Sequence, residues 1–270
     1  MSDREIIHIK SKPPELWTRL FSVWYRHFRV YTRNIISNGF PAFIEPLIFL
    51  VAIGIGLGMF VESINGIPYI TFLASAIVVP TAMYTAAFEC TFGTFIRLEF
   101  DKVYDGMLAS SITINDLFTG EIIFAGTKGC FFSAIVLFVI TLFGIPLNIE
   151  PEYTAIFIPI AGLLTGFMFG AFSLYVTSFV DTINHFNFYF TGFLTPLFFF
   201  SGIVFPLDNL PDILQIVSET LPLVHSVEIV RSLYFNNYHI RLIYDLIYIL
   251  LFTIIFAYFA LKRLEKRLIK

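Results

Sequence analysis

The sequence predicts an all-α membrane protein with six transmembrane helices, an amphipathic interfacial helix ahead of them and a re-entrant hairpin at the outer face. Three observations carry that prediction. Of 270 residues, 57% are apolar and only 14% are charged, with a mean hydropathy of +0.80, whereas a soluble domain carries about 25% charged residues. The apolar residues fall in continuous runs of about 20, the length a helix needs to cross a hydrocarbon core. Lys and Arg gather at the two ends of the chain. Spanning β-strands would alternate apolar and polar residues over roughly ten positions, and these runs do not alternate. A chain that is 18% aromatic is not a solvated coil either. With 17 basic against 20 acidic residues, no global charge excess points to nucleic acid.

The elements follow in order. Residues 1–39 read as a cytoplasmic N-terminus; they are dense in charge and lack a small-residue cleavage site, so no secretory leader is expected. Within them, residues 15–35 put Trp17, Leu20, Phe21, Trp24, Phe28, Tyr31 and Ile35 on one helical stripe and Arg19, Arg26, Arg29 and Arg33 opposite, the pattern of a helix lying in the membrane interface and contacting lipid. Residues 40–261 hold six apolar runs, at about 40–61, 69–95, 118–145, 154–180, 185–205 and 242–261. Residues 262–270 form a basic tail.

An even number of spans places both termini on one side. The Lys/Arg clusters in residues 1–39 and 262–270 make that side cytoplasmic, while the connections 62–68 and 146–153 hold no Lys or Arg and read as outside. The inner connection 96–117 mixes both charge signs with bulky apolar residues. Arg97, Glu99, Asp101, Lys102 and Asp105 offer register to a partner, and Tyr104, Met107 and Leu108 offer apolar contact, so the segment reads as a docking surface. On the outer side, Phe205, Pro206, Asp208, Pro211 and Pro222 frame a short amphipathic stretch at 212–220 that fits a re-entrant hairpin or lid. Pro80, Pro159 and Pro196 interrupt spans two, four and five. Gly162, Gly166 and Gly170, and again Gly54 and Gly58, give small faces for close helix approach within or between subunits.

Ionisable groups at membrane depth are functional candidates by default. Glu89 in span two either lines a polar route or pairs with a neighbouring helix. Lys128 in span three is near enough to the inner surface to snorkel, with Glu121 as its candidate partner. Glu45 and His185 lie at inner ends where interfacial solvation suffices. Cys90 and Cys130 fall in apolar runs and imply neither disulfide nor metal site. No P-loop, G-x-S-x-G or H-E-x-x-H occurs, so the chain offers no catalytic or metal residues of those kinds, and any ATP-driven work needs a separate subunit. A membrane-embedded lipid or glycan transferase with Glu89 as base is the alternative from another class.

Several segments together resemble the ABC-2 type exporter permeases, and within them the NodJ-type, lipooligosaccharide-export branch. They are Glu45-Pro46-Leu47-Ile48 through Gly54, Gly56, Leu57 and Gly58; Tyr69-Ile70 with Phe72-Leu73-Ala74; Phe88-Glu89 with Arg97 and Glu99; Met107-Leu108, Asp116, Gly120-Glu121 and Thr127-Lys128; and Ser201-Gly202, Phe205-Pro206, Asp208, Leu210-Pro211, Gln215, Leu221-Pro222-Leu223, His225-Ser226 and Arg231. The resemblance runs from about residue 17 to 265. It implies a non-catalytic permease in a bacterial inner membrane, a homodimer joined to two copies of a cytoplasmic NodI-like ATPase that binds the ATP and Mg. The 96–117 segment would carry the coupling helix, and the 206–222 hairpin, with His225 just beyond it, would gate exit. The implied cargo is an amphipathic glycan or lipid-linked molecule such as a lipooligosaccharide; drug or antibiotic efflux is the alternative within the same scaffold.

Overall fold

The computed structural model describes residues 14–33, 35, 40, 44, 47–144 and 151–268. Glu45, Pro46 and the start of the first predicted span lie outside the described residues. Helix α1 is Leu16–Arg33. A short apolar helix, α2, covers Leu47–Gly58 and leads into a hairpin whose strands β1 (Ser63–Ile64) and β2 (Ile67–Pro68) pair in antiparallel register, Ser63 with Pro68 and Ile64 with Ile67. Asn65 and Gly66 close it with φ of 51° and 80°, the left-handed pair that a two-residue hairpin turn requires.

Helix α3 then runs over Tyr69–Phe100, α4 over Val103–Leu108, α5 over Ile114–Gly144 and α6 over Tyr153–Thr177. Contiguous helical turns Ile183–His185, Phe186–Tyr189, Phe190–Leu194 and Thr195–Phe199 make up α7. Helices α8 (Asp212–Glu219) and α9 (Pro222–Tyr234) meet at 83°, and α10 is Arg241–Leu268. Among the described residues, four helices are long and apolar enough to cross a membrane (α3, most of α5, α6 and α10), and five if the bent α8–α9 pair counts as one.

Lipid provides no hydrophobic drive between helices, so close packing must hold them together. Helices α5 and α6 achieve it with glycine against glycine. A Cβ on Gly129 would lie 2.5 Å from the Gly162 carbonyl oxygen, and one on Gly166 would lie 2.8 Å from the Gly126 Cα. The glycine stripe of span four is thus spent inside the subunit. Gly54 likewise faces Ile70 and Leu73 on α3, whereas Gly58 meets no neighbour among the described residues. Thr177 Oγ1 on α6 donates to the Cys90 carbonyl on α3 (2.8 Å), and Ser173 bonds Tyr189 of α7 (2.9 Å). Helix α6 is therefore the central post.

One proline expectation needs correction. Pro159 sits at the first turn of the α-helical part of α6, after a 3₁₀ turn at Tyr153–Phe157, where a first-turn N–H has no intrahelical acceptor to lose. Pro196 does lie inside the continuous helical stretch Phe186–Phe199, directly after the π-helical turn Phe190–Leu194, where its missing N–H breaks the ladder. Pro80 does lie within α3, and the N–H of Val79 takes the Ala76 carbonyl instead (3.0 Å).

Helix α1 has three faces rather than two. Leu20, Val23 and His27 are buried against α5, where Gly120 leaves room for Val23, and Arg19, grouped by sequence with the polar face, turns in to Asp116 (3.4 Å). Trp17, Phe21, Tyr25 and Phe28 form an exposed row, an apolar edge suited to the headgroup boundary.

Gly162→Leu is expected to abolish a monodisperse peak in detergent size-exclusion chromatography, since its side chain meets Ser133 and the α5 backbone. Gly192→Ala, whose added Cβ meets nothing among the described residues, is expected to elute as the unsubstituted protein does.

Candidate functional site

The end of the bundle that carries most of the Lys and Arg residues contains a largely buried ionic network built by α1, α3, α4 and α5. It begins on α3 with Glu89, Gly93 and Arg97 at four-residue intervals. Two π-helical turns, Glu89–Gly93 and Ile96–Phe100, shape this stretch; such turns recur at functional sites. The Arg97 guanidinium reaches back past Gly93 to donate to Glu89 Oε1 (2.7 Å) and to the Glu89 carbonyl (3.2 Å). A side chain at position 93 would crowd it, because a Cβ there lies 3.2 Å from Arg97 Nη2.

Arg97 also joins α3 to its neighbours. Its Nε lies 3.1 Å from Glu121 Oε1 on α5 and 3.2 Å from Tyr104 Oη on α4. Glu121 in turn accepts from Thr94 Oγ1 (2.6 Å) and from the Tyr104 hydroxyl. On the other flank Lys128 Nζ bonds Glu89 Oε2 (2.8 Å) and lies 4.4 Å above the Tyr31 ring of α1. Two carboxylates and two cations balance within one cluster, the arrangement that makes burial of charge tolerable.

Sequence reasoning paired Lys128 with Glu121; the structure corrects this. Lys128 meets Glu89, and its ammonium turns into the bundle rather than snorkelling out. Both Glu89 oxygens are bound by cations, so neither is free to act as a base. Outside the spans, burial pushes the Tyr104 phenol well above its ordinary value, with Glu121 adding to the effect, so it remains a donor. Burial, reinforced by Arg97, pushes the His27 imidazole down to about 3. His27 is therefore neutral beside Glu121 (3.6 Å).

The predicted docking residues divide in two. Arg97 and Tyr104 face inward into the network and present little surface to a partner, because each is needed to satisfy Glu121. Asp101, Lys102 and Asp105 are exposed, and Met107 and Leu108 are half-buried at the rim of α4. Glu99 accepts from Arg267 Nη2 of α10 (2.9 Å), and the same guanidinium donates to the Thr177 and Val180 carbonyls at the end of α6 (2.9 and 2.8 Å). Arg267, read from sequence only as part of the basic tail, is thus a staple across three elements.

At the far end, Pro206 precedes a 3₁₀ turn, Pro211 precedes α8 and Pro222 opens α9. His225 Nδ1 meets Asp245 Oδ1 of α10 (2.7 Å), and both side chains are buried. Tyr248 Oη donates to the Thr220 carbonyl (2.7 Å), and Arg241 pairs with Glu219 (2.5 Å). Phe205 and Pro206 line a cavity with Tyr69, while Asp208 is exposed.

Comparison with known proteins places this architecture. The pattern of ABC-2 type transporters matches residues 18–235. The chain belongs to the ABC-2 type transporter family. It is 34% identical to Nodulation protein J of Sinorhizobium fredii over 219 residues, covering 81% of this chain and 82% of the relative. It is 30% identical to Nodulation protein J of Rhizobium meliloti over 227 residues, 84% and 85% of the two chains. With the inner membrane transport permease YadH of Escherichia coli it shares 21% identity over 211 residues, 78% and 80% of the two chains.

The network also constrains α4. The one side chain that α4 buries completely, Tyr104, ends on the same carboxylate that Arg97 binds, so α4 cannot shift without disturbing α3 and α5 together. One local signal for the network was present in sequence: a glycine midway between Glu89 and Arg97. The pairing of Lys128 had none, since it depends on how α3 packs against α5.

Lys128→Met should lower stability by about 3–5 kcal/mol, because it strands part of the Glu89 charge; Glu89→Gln/Lys128→Met should cost less than the two single changes added, read from thermal melts in detergent. The His27 site predicts a pH slope. An unfolded chain takes a proton there near 6.5 and the folded one only near 3, so stability falls as pH drops from about 6.5 toward 3, by at most about 1.4 kcal/mol per unit. His27→Phe should melt with a shallower pH dependence across that window.

Proposed function

We propose that this chain is the transmembrane subunit of an ATP-driven exporter whose ATPase is a separate, NodI-like cytoplasmic chain that binds ATP and Mg. It acts as a homodimer of six-span subunits in a bacterial inner membrane, with both termini cytoplasmic. Its cargo is an amphipathic glycan or lipid-linked molecule such as a lipooligosaccharide. Family membership and the nodulation protein J relatives support the transport class. The basic end supports the orientation, since Lys and Arg favour the cytoplasmic side.

The observation that carries the mechanism is the Tyr104–Glu121–Arg97 junction. The face of α4 around Asp101, Lys102 and Asp105 is open to a partner, while its buried tyrosine is bonded to the core of the bundle. Nucleotide binding closes the ATPase pair and displaces α4; the junction passes that displacement to α3 and α5. The energy comes from the difference in nucleotide affinity between the two states of the assembly. At the far end the α8–α9 elbow acts as the re-entrant gate.

Asp105→Arg/Met107→Asp is expected to lose the co-purifying ATPase that the unsubstituted chain retains, read by mass spectrometry of the tagged complex. Tyr104→Phe is expected to keep the ATPase bound and hydrolysing while export into inverted vesicles falls about tenfold, the equivalent of about 1.4 kcal/mol of lost coupling. Retention of the ATPase by the double variant would overturn the placement of the docking face, and a chain that never recruits an ATPase would overturn the exporter reading.

A further inference from the structure

At the far end a cavity of about 500 Å³ opens where the last turn of α2, the β1–β2 hairpin, the first turn of α3 and the loop before α8 converge. That volume is within the range of small-molecule sites, roughly 300–1,000 Å³. Its lining has two characters. Leu57 and Val61 make an apolar side that continues onto the exposed Met59 and Phe60 at the end of α2. Ser63, Asn65 and Asn209 make a polar rim, and Tyr69 and Phe205 contribute rings. Among the described residues, no charged one lines it.

The polar rim is available. The side chains of Ser63, Asn65 and Asn209 form no hydrogen bond with the described residues, and Asn65 and Asn209 are exposed. The walls are fixed. The Asn65–Gly66 turn is held in the left-handed region, and Tyr69 Oη donates to the Val204 carbonyl (3.1 Å), tying α3 to the loop before α8. A pair of carboxamides offers donors and acceptors side by side, which matches the hydroxyl groups of a sugar. Ring faces match a sugar's C–H face, and the lack of charge disfavours an anion or cation.

We propose that this vestibule is a binding site for uncharged sugar residues of an amphiphile, with Asn65 and Asn209 bonding the hydroxyl groups and the acyl chain lying along Leu57 and Val61. The inference rests on the exporter reading and deepens it, since it makes the vestibule the place where the glycan portion of the cargo is held before release.

The test uses the permease with its ATPase in lipid nanodiscs and two photoactivatable probes, a dodecyl glucoside and a dodecyl glucuronide, each with a diazirine on the sugar. Peptide mass spectrometry should find the glucoside crosslinked to the segments 57–69 and 204–209. Asn65→Gly/Asn209→Ala, which removes both carboxamides while glycine keeps the left-handed turn at position 65, should reduce that labelling about tenfold. The glucuronide should label the same segments far less. Equal labelling by both probes, labelling elsewhere in the chain, or no effect of the double substitution would each overturn the site. ATPase turnover in the same nanodiscs separates the two readings. Normal turnover with no vestibule labelling removes this site and leaves the exporter reading standing, whereas absence of a bound ATPase removes the exporter reading itself.

Discussion

Two carboxylates and two cations withdrawn from water at one end of the bundle must satisfy one another, and much of the structure follows from that requirement. Glu89 and Arg97 come from α3, Glu121 and Lys128 from α5, and no one of them can move far without stranding an opposite charge. Removing one partner of a buried pair costs several kcal/mol, more than most single contacts in a protein contribute. The network is therefore better understood as a constraint on geometry than as a source of net stability. It fixes the register of α3 against α5, brings α1 alongside through Tyr31 and His27, and gives α4 its one buried anchor at Tyr104.

That register is supported from the other side by the glycine contact between α5 and α6. A slip of α5 by one helical turn moves its side chains by about 5.4 Å. Both Glu121 and Lys128 would then leave their partners, and the glycines at 126 and 129 would leave Gly162 and Gly166. Packing without side chains and pairing of buried charges thus specify the same alignment, one by shape and the other by electrostatics. Arg267 adds a third tie, linking the end of α6 to Glu99 just before α4. Helix α4 thus takes its position from α3 and α5, through Tyr104.

How much of this was legible in the sequence depends on the physical range of each feature. The four long spans were legible because lipid demands length and continuous apolarity, both local properties. So was the amphipathic character of α1, although its division into a buried row and an exposed aromatic row depends on where α5 lies. The Asn65–Gly66 hairpin carried a local turn signal, but one obscured by the general reading of 62–68 as a connection. Lys128 was illegible in a different way: Glu121 shares its helix and Glu89 does not, and only tertiary packing decides between them. Pro159 misled because its effect depends on position within a helical turn, which apolar runs do not mark. The expectation that 96–117 is a docking surface came from its mix of charges and bulky apolar residues, and the expectation of a coupling helix there came from resemblance; the geometry adds which of its side chains point outward.

The two ends of the molecule are held by unlike means, and the difference bears on which parts can move. At the basic end the ties among α1, α3, α4 and α5 converge largely on a few buried groups, so these helices are held together. At the far end the ties to α10 are spread along the hairpin and differ in exposure. Arg241–Glu219, on the α8 side of the elbow, is close to half exposed at both side chains, and a pair of that kind contributes at most about 1 kcal/mol. His225–Asp245, on the α9 side, is sealed from solvent, where loss of either partner leaves an unsatisfied polar group in an apolar setting. Helix α8 is short, and Ile213 and Ile216 are more than two-thirds exposed. It is therefore the loosely held limb and α9 the fixed one. The least firmly tied part of the far end is thus the α8 limb of the 83° elbow, next to the cavity that Pro206 and Asn209 help to line.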